Sequence, residues 1–97
     1  MHVVIRKFPG MQNVTEAARR AETGLGPILK TQSGFKGYYI IALEGGGGGS
    51  ISLFDSADAA KASQQRAMSW VKENLTDLGG GAEPDVTIAE VLAHVPA

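Results

Sequence analysis

The chain of 97 residues predicts an α+β fold with the element order β-α-β-β-α-β. Four short runs rich in β-branched or aromatic residues, bounded by turn residues, supply the strands. Two longer segments place apolar residues at helical spacing. The length suits a single domain, residues 1–97, with a thin core.

Val3-Val4-Ile5-Arg6-Lys7-Phe8 is the first strand, stopped by Pro9-Gly10. Val14, Ala17, Ala18, Ala21, Leu25, Ile28 and Leu29 then fall along one helical face. Asn13 and Glu16 are spaced as a capping box at the start of this helix, and Glu16 and Arg20 as an ion pair on its solvent side. Pro27 removes a hydrogen bond to the Thr23 carbonyl, which predicts a kink or break. That bend is either a plain irregularity or a device that opens space for a ligand beneath the helix.

After the Ser33-Gly34 turn, Phe35 to Leu43 is the second strand. Gly45 to Gly49 predicts a floppy hairpin tip before the third strand, Ser50 to Phe54. Phosphate-cradling glycines lead into a helix N-terminus, and these lead into a strand. Asp55 is placed to cap the second helix, where Ala60, Ser63, Ala67, Trp70, Val71, Asn74 and Leu78 share a face. Gly79-Gly80-Gly81 ends that helix, and Val86 to Val95 is the last strand.

Right-handed crossovers put both helices on one face of an antiparallel sheet. Yet the strands are apolar on both sides: Val3 and Ile5 oppose Val4 and Phe8, and Tyr39 and Ile41 oppose Tyr38 and Ile40. A sheet with one wet face alternates apolar with polar residues. The helix-free face is therefore expected to pack on a second copy of the chain as a homodimer.

Nine basic and ten acidic residues leave a formal charge of -1, which gives no field to gather nucleic acid or an anionic membrane. There is no cysteine, which excludes disulfides and thiolate chemistry. The N-terminus lacks the pattern of a signal peptide, no apolar run has the length of a membrane span, and a cytoplasmic location is expected. Two histidines and scattered carboxylates offer no clustered metal ligands, so neither metal nor cofactor is expected.

The short opening strand, Gly34-Phe35 before an aromatic second strand, and Ser50-Ile51-Ser52-Leu53-Phe54-Asp55 before a helix carrying Trp70-Val71-Lys72-Glu73-Asn74-Leu75 resemble a known group. This is the ferredoxin-like superfamily of dimeric α+β barrels, and within it the antibiotic-biosynthesis-monooxygenase-like proteins, a bacterial branch above all. The resemblance covers nearly the whole chain. It implies a site between helices and sheet, and an activity such as cofactor-independent oxidation of a small aromatic molecule. Haem-degrading members place an Asn on strand one, a helical Trp and a helical His. Only Trp70 matches that trio, because strand one carries Arg6 and neither His2 nor His94 lies on a predicted helix.

The pocket candidates are Trp70, Arg66, Asn74, His94 and Tyr39. Trp70 reads first as core packing and second as a pocket wall. Arg66 and Asn74 lie one turn to either side of it, as pocket edge or solvated helix surface. His94, on the expected last strand, is a base or an edge histidine. Tyr38 and Tyr39 point to opposite faces, so one meets the helices. Three functions compete: a small-molecule enzyme, a non-catalytic dimeric binding or assembly module, and an RNA-recognition domain. The last rests on Lys36-Gly37-Tyr38-Tyr39-Ile40-Ile41, an echo of an aromatic sheet motif that belongs on strand three.

Overall fold

The computed structural model describes residues 1–97. Its elements are β1 (His2–Phe8), α1 (Val14–Lys30), β2 (Phe35–Ala42), β3 (Gly48–Phe54), α2 (Ala57–Asn74) and β4 (Asp85–Glu90), with a 3-10 turn at Thr76–Leu78. The four strands form one antiparallel sheet in the order β2-β3-β1-β4, as the crossover rule requires.

Register decides which side chains meet. Val4 opposes Ser52 and Arg6 opposes Ser50 across β1 and β3, while Ser52 opposes Tyr38 and Ser50 opposes Ile40 across β3 and β2. Directly opposed residues share a face. The helix-covered face therefore holds Val4, Arg6, Phe8, Tyr38, Ile40, Ser50, Ser52 and Phe54. The other face holds Val3, Ile5, Tyr39, Ile41, Ile51 and Leu53. On β3 the pattern is inverted from a one-sided sheet, since its serines lie under the helices and its Ile51 and Leu53 lie on the open side.

The core has two parts. Val4, Leu25, Leu29, Phe54, Ala60 and Ala67 form one; Phe8, Met11, Ala17, Val71 and Leu75 form the other. Trp70 packs against both.

Several local expectations are corrected. The break expected at Pro27 does not occur: α1 runs through it, with Leu25 and Leu29 on either side in the core. Asn13 makes no side-chain cap bond and sits at φ 48°, while Glu16 turns to Arg19 and Arg20 instead. Ser56, not Asp55, caps α2, its hydroxyl accepting from the Ala59 N–H at 3.1 Å.

The glycine run is an ordered turn, closed by Leu43 N–H to Gly47 O at 3.0 Å and Gly46 N–H to Leu43 O at 3.1 Å. β3 starts at Gly48, two residues early, because the run lies tight against β1: a Cβ on Gly49 would sit 2.4 Å from the Arg6 carbonyl oxygen. α2 ends at Asn74 rather than Leu78, and the Gly80 N–H closes back on Leu75 O at 2.7 Å.

β4 stops at Glu90, not Val95. Its neighbour β1 begins at His2, which pairs with Glu90, and a last bond runs from Val91 N–H to Met1 O. Leu92 and Val95 are consequently 86% and 90% exposed.

Candidate functional site

A cavity of about 50 Å³ lies beneath α1, between that helix and the sheet. It exists because small residues face each other across the layer. α1 contributes Ala17, Ala18 and Ala21, and β3 opposes them with Gly48, Gly49 and Ser50. Phe8, Met11, Leu25, Val71 and Leu75 close its apolar inner wall. On the outer side, an open groove of about 680 Å³ runs between α1 and the edge strand β2. Cavity and groove share Ala18, Tyr38 and Ile40.

The polar end of the cavity is Tyr38 and Ser50, and behind Ser50 stands Arg6, which is 1% exposed. Arg6 lies on the central strand β1 between Val4 and Phe8, so the strand period carries it into the core. Its Nε donates to Gln64 Oε1 on α2, and its Nη1 donates to Ser52 Oγ at 3.1 Å and Ser50 Oγ at 3.4 Å. Nη2 is buried and has no partner.

Burial lowers the Arg6 pKa to about 10, partly offset by Tyr38, so the guanidinium keeps its charge at neutral pH. Burial raises the Tyr38 pKa, opposed by the Arg6 charge and a hydrogen bond with Ser50, so the phenol stays protonated. The arrangement is a cation with three hydroxyl neighbours and no carboxylate. Such a group stabilises negative charge on an oxygen placed near it.

None of the five residues expected from sequence is in the cavity lining, and Tyr39 lies in that of the groove. Trp70 bridges the helices: a Cβ on Gly24 would come within 2.6 Å of its Cζ2. Arg66 is exposed on the outer side of α2. Asn74 is exposed, its Nδ2 donating to the Trp70 carbonyl at 2.9 Å. His94 falls in the exposed segment after β4, not on a strand. Tyr39 is 60% exposed, at the rim of the outer groove, and Tyr38 is the tyrosine that meets the helices.

The structure thus does not bring Trp70, Arg66, Asn74 and His94 together at the cavity. The cluster it does assemble, Arg6 with Tyr38, Ser50, Ser52 and Gln64, left one legible trace. A lone arginine shares the face of Val4 and Phe8, and two serines alternate with Ile51 and Leu53. Groups of three or more histidine or acidic side chains able to hold a metal ion do not occur. No helix is long and apolar enough to cross a membrane.

No family model matches the sequence, and no curated protein does. Solved structures do match in three dimensions. A monooxygenase from the gene ActVA-Orf6 of Streptomyces coelicolor, in complex with nanaomycin D, superimposes with a TM-score of 0.71 at 17% identity, over 99% of this chain and 92% of that one. A variant of MhuD with two manganese protoporphyrin IX molecules bound per active site gives 0.74 at 12% identity, over 100% of both chains. A protein of unknown function from Nitrosomonas europaea gives 0.61 at 18% identity, over 99% and 93%. The chain therefore adopts the same ferredoxin-like βαββαβ fold as these structures.

Proposed function

We propose that this protein is a homodimer, closed through the helix-free sheet face, that binds a small apolar molecule in the cavity beneath α1. The carrying observation is the cavity itself: an apolar enclosure with one polar end, continuous in its lining with an open groove. Its volume of about 50 Å³ exceeds the space for one water and falls well short of the several hundred Å³ typical of a bound organic ligand. A ligand therefore spans cavity and groove, past Ala18, Tyr38 and Ile40, which line both. Two solved structures of this fold hold flat ring systems, nanaomycin D in one and a metalloporphyrin in the other, which supports the same class here.

The finer form of this reading is a cofactor-independent oxygenase acting on an aromatic ring. In that role Arg6, with Ser50 and Tyr38, stabilises an oxyanion on the substrate. The cavity wall holds no histidine or carboxylate and the groove offers Glu22 alone, so the substrate is an acid that gives its proton to Glu22 or to solvent.

The test is a titration of the full chain with a panel of flat phenols and quinones, followed by thermal shift and by amide NMR. Perturbations centred on Tyr38, Gly48 and Ser50 are expected, and they disappear in Ala18→Leu, which fills the passage. Oxygen uptake with the ligands that bind separates an enzyme from a binder.

A second reading, a non-catalytic dimeric module, is favoured by one observation. Leu25, Trp70, Val71 and Leu75 already fill most of the space between the layers. Absence of any shift across the panel, with an intact dimer, would establish it over the first.

A further inference from the structure

Arg6 is a buried cation without a counter-ion. The ion pairs of the molecule join Glu16 to Arg19 and Arg20, Arg20 to Asp77, and Lys72 to Glu83, and none involves Arg6. The groups facing it are neutral: Gln64 from α2, Ser50 and Ser52 from β3, and Tyr38 from β2. Removing a charge from water costs several kcal/mol unless an opposite charge or a full set of hydrogen bonds offsets it. Here three of the five N–H donors are used, and the Nη2 pair is buried and unmet.

A second copy of the chain cannot supply the missing charge through the open sheet face. Arg6 projects from the opposite, helix-covered side, with the thickness of the sheet between. The cavity reaches this cluster from outside through Ser50 and Tyr38, which belong to its lining, and Tyr38 also lines the outer groove. On the ligand-binding reading above, on which this inference rests, we propose that the ligand is an acid, a carboxylate or phenolate on a small apolar body, whose oxygen takes the open Nη2 donors of Arg6.

The geometry suits that chemistry. With Nε and Nη1 engaged, the donors left are the two on Nη2, and a charge-assisted hydrogen bond from them to a carboxylate or phenolate oxygen in a dry site is stronger than a neutral one. Ser50 and Ser52 hold Nη1, and Gln64 holds Nε, so Nη2 is oriented before the ligand arrives.

The test uses three probes of similar size on the intact wild-type chain: benzoate, its neutral counterpart benzamide, and toluene. Affinity is read from amide NMR titration at the signals of Tyr38, Gly48 and Ser50. Benzoate is expected to bind at least tenfold more tightly than benzamide. In Arg6→Met, which keeps the length of the side chain, the preference is expected to vanish while toluene binds as well or better.

Equal binding of benzoate and benzamide by the wild type overturns the proposal, and that comparison needs no variant. Binding of toluene without benzoate overturns it too, while leaving the apolar-ligand reading intact. Failure of all three probes overturns both. If Arg6→Met does not fold, Arg6→Lys, which keeps the charge but lacks the fork, is expected to retain part of the benzoate preference. An unchanged preference in Arg6→Lys or Arg6→Met would reduce Arg6 to a structural residue.

Discussion

The Trp70 indole lies against Gly24, where a Cβ would sit 2.6 Å from Cζ2 and 3.0 Å from Nε1. The glycine in α1 makes room for the large ring of α2, and this contact locks the two helices together above the sheet. Gly24→Ala is expected to destabilise the protein. Overpacking costs about 1–3 kcal/mol, against a gain of about 1 kcal/mol in helix propensity. Urea denaturation checks this, and Trp70→Phe, with its shorter ring, should make the alanine tolerable. A stabilised Gly24→Ala would show that the indole is not held there.

The two helix starts make a paired experiment. Ser56→Ala removes a hydroxyl that accepts from Ala59 N–H, and should cost about 1 kcal/mol. Asn13→Ala removes no cap bond but forces alanine into φ 48°, at a cost of about 1 kcal/mol from backbone strain alone. Asn13→Gly relieves that strain and should be neutral or stabilising, which a loss of stability on thermal melting would contradict.

Arg20 ties the middle of α1 to the end of α2 through Glu16, Asp77 and the Asn74 carbonyl. Hydrogen bonds from Arg19 and Arg20 lower the Glu16 pKa from 4.5 to about 2, and Arg20 lowers that of Asp77. Carboxylates held below their unfolded values stabilise the fold above those values, and that contribution is lost as pH falls through the native ones. The melting temperature should therefore drop between pH 4.5 and 2. The drop should shrink in Arg20→Gln and in high salt, since Arg19 and Asp77 are exposed and Glu16 and Arg20 only half-buried. An identical acid profile in Arg20→Gln would remove the network from the account.

The open sheet face should bury itself in a second copy. Light scattering is expected to give twice the chain mass of 10.1 kDa for the wild type. Ile51→Glu places a charge at the middle of that face, opposite Ile5 and Tyr39, and should give single chains with the fold retained by circular dichroism. A monomeric wild type would refute the dimer outright.

The order and type of all six main elements, and the face each helix buries, were legible in the residues alone. Alternation in the strands and helical spacing of alanines and leucines are local signals, and the crossover rule puts both helices on one face of the sheet. The Glu16–Arg20 pair was legible for the same reason, because its partners lie within one turn. Tertiary structure decided the rest. Whether β4 continues past Glu90 depends on where β1 begins, eighty-eight positions away in the pairing of His2 with Glu90. Whether Trp70 fills a helix interface or a pocket depends on Gly24 meeting it across two helices. The site is the clearest case. Arg6, Tyr38, Ser50 and Gln64 are unremarkable in their own segments, and only strand register and the seating of α2 bring a guanidinium, two kinds of hydroxyl and an amide to the end of one cavity.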